Sequence, residues 1–397
     1  MIKLNGIGLF NEGFLPILDG VSMTVKNYAF WLNRKVAPTI VVTPKFPGYN
    51  DREEFKVFRY FSAPIPFHNP YRVGLPLFDH SIYAKVLGQK LDIVHAHSPF
   101  SAGSLALKVA HKKKIPIVAT FHSKFRDDFE THISSKIIVD QMLKQVIHFF
   151  ESADEVWIPQ ARVEDTIRSY GYKGSLEVVA NGIDLNPGID IDLFKKESRQ
   201  ALGFSESELV FIFVGQHIWE KNLRFLLEAL GRFRSKPFTA LFAGEGYARP
   251  MLEKIAKESG LTDRIRFLGA VRDREMLKKI YASANLFLFP SLYDNAPLVL
   301  REAAAMHTPA LLLKGSTAAE VIEDGVNGFL AENNLDAYVK KMAEISANSS
   351  LQREVGLKAS QTLCRSWENI VDEVKDRYLA LIHRKLNQNS YPFLLKS

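Results

Sequence analysis

Short runs of Val, Ile, Leu and Phe alternate with longer amphipathic patterns along almost the whole of this 397-residue chain. Such alternation is typical of βαβ units, in which parallel strands form a sheet that helices cover on both faces. The run 210–214, Val-Phe-Ile-Phe-Val, is apolar at every position, as a strand buried on both faces requires. Because the chain is also too long for one ordinary core, the sequence predicts an α/β protein of two domains.

Strands and helices are expected to alternate in both halves of the chain. The expected strands are 2–9, 39–43, 57–60, 92–95, 116–120, 155–158 and 176–179, followed by 209–214, 239–243, 265–268, 286–289 and 310–313. The expected helices are 21–32, 101–111, 133–151, 223–233, 249–259, 275–282 and 298–306. The Asn-Gly pair in 181–184 favours a turn between the halves. We therefore expect a first domain over 1–183 and a second over 184–370, entered through a polar, irregular stretch at 185–207.

Composition excludes several classes of protein. Hydrophobic residues make up 47% and charged residues 24% of the chain, as in soluble globular proteins. No run approaches the about 18–20 apolar residues of a membrane-spanning helix. The N-terminus lacks the basic and apolar regions of a signal peptide. The single cysteine, Cys364, excludes an internal disulfide and fits a reducing compartment, so we expect a cytoplasmic protein.

The net charge of +7 is concentrated in the first half, where residues 1–180 hold 22 basic and 17 acidic side chains. A basic first half favours an anionic surface such as the inner face of a membrane, and the apolar tail 391–396 is compatible with peripheral contact there. Ordinary scatter of surface charge explains the same numbers. No basic groove motif or aromatic platform indicates a nucleic-acid partner.

The most informative stretch is 290–303, Pro-Ser-Leu-Tyr-Asp-Asn-Ala-Pro-Leu-Val-Leu-Arg-Glu-Ala, which follows an expected strand and opens an expected helix. We assign Ala296 to the N-cap and Pro297 to the first helical position, where a missing N–H costs nothing. The free amides that follow, beginning at Leu298, form an anion site suited to a diphosphate.

Two carboxylates flank this helix start. Asp294 lies in the loop just before the helix, and Glu302 about one and a half turns inside it. Both accept hydrogen bonds from hydroxyl groups, as a sugar and a ribose require. At this spacing they can address different parts of one extended ligand.

An acidic residue, seven further residues and a Glu, placed between a Pro-Ser strand end and a Glu-Ala helix, resemble the signature of glycosyltransferase family 4. The resemblance covers most of the chain and is carried by an ordered set of segments: 14–16, 19–22, 92–98, 120–123, 181–184, 215–222 and 242–246. The pattern at 14–22 and 121–126 is similar to that of diacylglycerol glucosyltransferases within the family.

The resemblance implies the GT-B fold, with two Rossmann-like domains facing each other across a cleft and a C-terminal helix and tail, 371–397, returning to the first domain. It implies transfer of a hexose, with retained anomeric configuration, from a nucleotide diphosphate sugar, by family frequency a UDP-sugar. The acceptor is expected to be a hydroxyl group of a lipid or a glycan. Neither a metal nor another cofactor is expected.

Carried over position by position, the resemblance also implies residue roles. Glu302 is expected to bind the ribose hydroxyls and Asp294 the donor sugar. Lys221 is expected to stabilise charge on the departing diphosphate. Gly20 is expected to let backbone amides approach the phosphates, because no side chain intervenes. His122 is expected to reach the transferred sugar from the first domain.

The remaining expected donor contacts are Gln216, Gly244 and the residues 296–298. Two positions depart from the family pattern. Asp294 stands where Glu is usual and is one methylene shorter. Gln216 stands where Arg is usual, so one phosphate contact is absent, which Arg224 on the next helix is a candidate to replace.

Simpler interpretations stay open for several of these residues. His95 and His97 are more typical of buried structural histidines than of a metal site, because no third ligand cluster accompanies them. Gly244 fits a tight turn that needs no ligand, and Asp294 fits an ordinary turn residue. His122 fits a strand-end histidine bonded to the backbone.

Two other functions also stay open. The first is a nucleotide-sugar epimerase of the same fold, which would need no acceptor. The second is a non-catalytic nucleotide-sugar binder acting as the partner subunit of another glycosyltransferase. The departures from the family pattern at Asp294 and Gln216 favour this second function.

Overall fold

The protein is described by a computed structural model that covers residues 4–65, 71–131, 133–184 and 189–390. The chain divides into two compact units: the chain up to Gly182 together with the segment from Trp367 forms the first, and Ile183–Ser366 forms the second. Each unit has its own hydrophobic core. In the described part of the chain, no helix is both long and apolar enough to cross a membrane.

Parallel strands build the sheet of the first unit. In chain order the strands are β1 (Ile7–Phe10), β2 (Thr39–Pro44), β3 (Lys56–Tyr60), β4 (Ser62–Pro64), β5 (Arg72–Gly74), β6 (Ile93–Ala96), β7 (Ile117–Thr120), β8 (Glu155–Ile158) and β9 (Glu177–Val178). The sheet has the order β3-β2-β1-β6-β7-β8-β9, whereas β4 and β5 form a separate antiparallel pair. The interior strand β1 is buried at every position, as a strand covered on both faces must be.

Helices follow the strands of the first unit as βαβ connections require. They are α1 (Gly20–Lys35), α2 (His80–Leu87), α3 (Ser101–Lys113), α4 (Phe125–Glu130), α5 (Lys136–Glu151) and α6 (Val163–Ser169). The carboxylate of Asp19 caps α1 by accepting a hydrogen bond of 2.7 Å from the Ser22 amide, which fixes where the helix begins.

The second unit repeats the plan with a sheet of order β12-β11-β10-β13-β14-β15 in the described residues. Its strands are β10 (Leu209–Val214), β11 (Phe238–Ala243), β12 (Ile265–Gly269), β13 (Leu286–Phe289), β14 (Ala310–Leu313) and β15 (Phe329–Ala331), and all their pairings are parallel. Its helices are α7 (Ile191–Ala201), α8 (Leu223–Arg232), α9 (Arg249–Glu258), α10 (Arg274–Ser283), α11 (Leu298–Ala305), α12 (Leu335–Ala347) and α13 (Ser349–Leu363).

The last helix, α14 (Trp367–Ser390), belongs to the first unit and packs against α1. The Trp367 ring contacts the Tyr28 ring edge-on at 5.4 Å, and the Tyr378 ring stacks on Trp157 at 5.6 Å. The prediction of two parallel α/β halves with a final helix returning to the first is therefore confirmed. The tail 391–396 lies outside the described residues.

Several local expectations were wrong. The stretch expected to be irregular before β10 contains α7, which Asp190 caps and whose apolar residues Ile191 and Phe194 pack on the core of the second unit. Helix α5 begins at Lys136, three residues later than expected. The strands β4, β5 and β15 were missed because each has only three residues, too few to show a period.

Candidate functional site

Helix α11 begins at Leu298, as in the expected range 298–306, but its N-cap lies one residue later than the assigned Ala296. Pro297 is the N-cap, with an extended ψ of 128°, and Leu298 is the first helical residue. The assignment of Ala296 to the cap was therefore wrong. Proline suits either position because its ring fixes φ near the helical value and its missing N–H leaves no donor unpaired. The helix start still presents backbone amides beside the loop that follows β13.

Lys221 and Asp294 lie together in front of this helix. Lys221 ends a 3-10 turn, Trp219–Lys221, and the next residue, Asn222, has a left-handed backbone with φ of 59°. The Lys221 ammonium group donates a hydrogen bond to Oδ1 of Asp294, and only 11% and 14% of the two side chains are exposed. The ion pair brings two of the predicted site residues into direct contact.

The second oxygen of Asp294 points to a role beyond the ion pair. Oδ2 is buried and has no hydrogen-bond partner among the described residues. The ammonium nitrogen of Lys221 also lies 5.2 Å from the centre of the Tyr293 ring, in a cation–π contact. A buried carboxylate oxygen without a donor is costly, so it is well placed to accept a hydrogen bond from a ligand hydroxyl.

Glu302 projects from the same helix into a small cavity that opens to solvent. Its Oε1 accepts a hydrogen bond of 2.7 Å from Arg274 Nη2, and its Oε2 accepts one of 2.9 Å from the Tyr281 hydroxyl. The cavity is lined by Ile183, Asp184, Arg274, Leu277, Lys278, Tyr281, Glu302, Ala305 and Met306. Sequence reasoning missed Arg274 and Tyr281, because only the packing of α10 beside α11 brings them to Glu302.

Gln216 and Gly244 follow the neighbouring strands β10 and β11, where the two strand ends continue to pair. The Gly215 amide donates to the Ala243 carbonyl at 3.0 Å, and the His217 amide donates to the Glu245 carbonyl at 2.9 Å. A Cβ on Gly244 would lie 1.9 Å from the Gly215 carbonyl oxygen, so no other residue fits there. This close backbone approach is a structural requirement for Gly244, whatever ligand the loop binds.

His217, next to Gln216, is fully buried against a cluster of aromatic rings. The clustered rings belong to Phe213, Phe242 and Phe267. Neither ring nitrogen of His217 has a hydrogen-bond partner among the described residues. Burial lowers the pKa of His217 to about 4, so the ring is neutral at physiological pH and packs as an apolar group.

In the first unit, His122 is the outermost of three adjacent histidines. Its Nε2 lies 3.0 Å from Nδ1 of His97, and the two rings stack at 5.3 Å. His95 lies behind them, with its ring nitrogens 2.6 Å from the hydroxyls of Tyr378 and Thr120. Burial lowers the pKa of His122 to about 4 and the pKa values of His95 and His97 well below the ordinary value. All three are therefore neutral near pH 7.

Gly20 is the first residue of α1, directly after its cap Asp19. A Cβ at this position would meet no atom within 4 Å, so the fold itself does not require glycine there. The predicted contacts of Gly20 and His122 with a ligand stay predictions, because both residues belong to the first unit and the residues described above to the second.

Two further sequence expectations concern charge and metal. Arg224 lies exposed on α8 with its guanidinium 5.3 Å from the Trp219 ring, and it makes no described contact with Lys221 or Asp294. Among the residues that the structure describes, no group of three or more His, Cys, Asp or Glu side chains is arranged to hold a metal ion.

Two family models match the chain and together span most of it. The model for Glycosyltransferase Family 4 matches residues 18–187, and the model for Glycosyl transferases group 1 matches residues 194–362. The two matches fall on the first and second structural units.

Known proteins similar in sequence include two synthases of the same name. The alpha-monoglucosyldiacylglycerol synthase of Acholeplasma laidlawii is 27% identical over 96% of this chain and 99% of its own length. The synthase from Streptococcus pneumoniae is 25% identical over 82% of this chain and 74% of its own length. The sulfoquinovosyl transferase SQD2 of Arabidopsis thaliana is 24% identical over 96% of this chain and 74% of its own length.

Solved structures of glycosyltransferases share the fold. A sucrose-phosphate synthase from Thermosynechococcus elongatus superimposes with a TM-score of 0.80 at 19% identity, over 96% of this chain and all of the other. The lipopolysaccharide glycosyltransferase WaaG has a TM-score of 0.69 at 15% identity, over 94% of this chain and 99% of its own. These likenesses confirm the predicted GT-B architecture of two Rossmann-like domains.

Proposed function

We propose that this chain, a member of glycosyltransferase family 4, transfers a hexose from a UDP-sugar to a hydroxyl group of a membrane lipid. In the proposed transfer the sugar retains its anomeric configuration. The observation that carries the proposal is the arrangement around α11 in the second unit. Lys221 and Asp294 meet before the helix start, and Glu302 faces a cavity behind it.

Each of these groups suits one part of a nucleotide sugar. The first amides of α11 and the Lys221 ammonium group would bind the diphosphate. The unpaired Oδ2 of Asp294 would accept a hydrogen bond from a sugar hydroxyl, and Glu302 would accept hydrogen bonds from the ribose. Among the solved neighbours, the structure of Anabaena HepE contains UDP-glucose, which leads us to uridine and glucose as the first donor to test.

The chemical step that we propose is front-face transfer. The acceptor oxygen forms its bond to the anomeric carbon on the face from which the diphosphate leaves, as the bond between that carbon and the diphosphate oxygen breaks. The acceptor proton passes to the departing diphosphate. Lys221 stabilises the negative charge that develops there, and no enzyme nucleophile is needed. His122, neutral at physiological pH, would contact the transferred sugar.

The proposed reaction uses no metal, since Lys221 and the amides of α11 supply the positive potential for the diphosphate. Full activity in excess EDTA is the expected result. Activity that EDTA abolishes and Mg²⁺ restores would contradict this part of the proposal.

Diacylglycerol is the acceptor that we propose, because two of the similar proteins are named for making monoglucosyldiacylglycerol. The first unit also has an apolar surface suited to a bilayer, the hairpin patch, formed by Phe61, Val73, Leu77 and Phe78 on and beside the β4–β5 pair. Leu77 is 71% and Phe78 74% exposed, and the Phe61 and Phe78 rings lie 6.5 Å apart. Exposed apolar clusters of this kind are typical of interaction surfaces.

Product analysis tests the transfer itself. The full chain is incubated with ¹³C-labelled UDP-glucose and anionic vesicles with or without diacylglycerol, and both UDP release and the extracted lipid are measured. We expect UDP release that depends on diacylglycerol and an α-linked glucolipid by NMR. A β-linked product would contradict retention. A new nucleotide sugar without any glycolipid would indicate an epimerase, and donor binding without release a non-catalytic subunit.

Vesicle co-sedimentation tests the hairpin patch. Replacing Leu77 and Phe78 by Ser should reduce binding to anionic vesicles and the lipid-dependent UDP release, while UDP affinity stays unchanged. Leu193→Ser, at a 53% exposed leucine of the second unit, is the matched control and should bind vesicles like the wild type. Unchanged vesicle binding by the double variant would contradict the assignment of this surface.

A further inference from the structure

Glu302 is held by two donors, one on each carboxylate oxygen. Arg274 Nη2 lies 2.7 Å from Oε1, and the Tyr281 hydroxyl lies 2.9 Å from Oε2. Only 12% of the Glu302 side chain is exposed. The carboxylate of a lone glutamate on a helix rotates freely about its terminal bonds. Hydrogen-bond donors on both oxygens of Glu302 hold its carboxylate in one orientation.

The two donors keep their protons under all ordinary conditions. Tyr281 is fully buried, and burial together with the neighbouring Glu302 raises its pKa well above the usual value. Burial alone would lower the pKa of Arg274, but the Glu302 carboxylate outweighs it and raises that pKa. Both groups therefore donate, and Glu302 is held as an acceptor.

The position of Tyr281 is itself fixed by packing. Its ring lies edge-on to Phe287 at 6.0 Å, and its carbonyl accepts a hydrogen bond of 2.7 Å from the Thr308 hydroxyl. A hydroxyl group held this firmly is suited to orienting a neighbour rather than to binding a ligand that comes and goes.

We propose that Tyr281 and Arg274 are positioning residues that orient Glu302 to accept hydrogen bonds from both hydroxyls of a ribose, and so make the site selective for ribonucleotides. This inference rests on the proposed function. Each carboxylate oxygen has capacity for two hydrogen bonds, and among the described residues one donor occupies each oxygen. The remaining pair of acceptor positions matches the two neighbouring hydroxyls of a ribose, and a 2′-deoxyribose fills only one of them.

The test compares binding of UDP and 2′-deoxy-UDP to the full chain by calorimetry. We expect the wild type to prefer UDP by about ten-fold or more, the range for loss of a hydrogen bond to a charged acceptor. Glu302→Gln should bring the preference close to one. Tyr281→Phe, which keeps the ring, should reduce it at least about three-fold, and Arg274→Ala should act in the same direction.

Tyr338→Phe is the matched control, because Tyr338 is equally buried in the same unit and its hydroxyl bonds only weakly, at 3.4 Å, to the Leu311 carbonyl. It should leave the preference for UDP unchanged. A purely structural role for Tyr281 would weaken both nucleotides equally, so an unchanged preference in Tyr281→Phe would overturn the inference. A wild type that binds UDP without preferring it would also overturn it, whereas a wild type that binds no nucleotide would overturn the proposed function itself.

Discussion

The ion pair between Lys221 and Asp294 is the residue-scale feature on which the proposed chemistry depends most. Lys221→Ala would remove the cation from the leaving group and leave a buried carboxylate without its partner. We predict a loss of about 100-fold or more in kcat/KM for the donor, the range for removing one stabilising group. Steady-state UDP release measures it, with thermal unfolding as the check on folding.

The matched control for this variant is Arg232→Ala. Arg232 pairs with Asp336 at 2.8 Å on the surface of the same unit, where both side chains are more than half exposed. Such a pair contributes about 0–1 kcal/mol, so activity and stability should stay near the wild type. Intact turnover in Lys221→Ala would contradict the proposed mechanism.

Gly20 allows a second residue-scale prediction. Because a Cβ there meets nothing within 4 Å, Gly20→Ala should leave the free energy of unfolding unchanged or slightly higher. If the phosphates approach this backbone, the added methyl group should weaken donor binding about ten-fold or more, measured as KM for the UDP-sugar. Wild-type KM in a stable Gly20→Ala protein would remove Gly20 from the donor site.

At the scale of elements, helix α14 is joined to the first sheet through a buried hydrogen bond between Tyr378 and His95, 2.6 Å long. Tyr378→Phe leaves His95 Nδ1 unpaired and should lower the free energy of unfolding by about 1–3 kcal/mol in urea titrations. Tyr338→Phe, which loses only a bond of 3.4 Å, should cost less. An equal effect of the two variants would show that the Tyr378 bond does not hold α14 in place.

The elements also show what sequence alone can predict. The longer strands and helices such as α1, α3 and α8 were predictable, because their apolar runs and periods are local signals, whereas α7 was expected to be irregular. The spacing of Asp294 and Glu302 around α11 was equally local. The N-cap of α11 was missed by one residue because Pro297 is compatible with two positions. Arg274 and Tyr281 were missed because their contacts with Glu302 depend on how two helices pack, which no local pattern records.

At the scale of the whole molecule, stability depends on pH through the buried histidines His95, His97 and His217 and the partly buried His122. Burial lowers the pKa of His122 and His217 to about 4 and those of His95 and His97 well below their ordinary value. These histidines take up protons near pH 6.5 in the unfolded chain but not in the folded chain. Their contribution to the free energy of unfolding is therefore fully present above pH 6.5 and declines as pH falls towards 4. Each histidine contributes about 1.4 kcal/mol per pH unit in this window.

Urea unfolding at pH 7.5 and 5.5 measures this dependence, because carboxylates titrate mainly below that range. His217→Phe, which suits the surrounding aromatic rings, should reduce the loss of stability, whereas His148→Phe on the exposed face of α5 should not. Equal stability of the wild type at both pH values would contradict the burial of neutral histidines.

The proposed function depends on the second unit binding the donor around α11. Hydrogen exchange of the full chain with and without UDP tests this most directly, because bound nucleotide should slow exchange of the amides it covers. We predict protection in 215–222, 244–246 and 291–302, and its loss in Glu302→Gln at the same UDP concentration. Protection confined to other segments, at a concentration that saturates binding, would contradict the account.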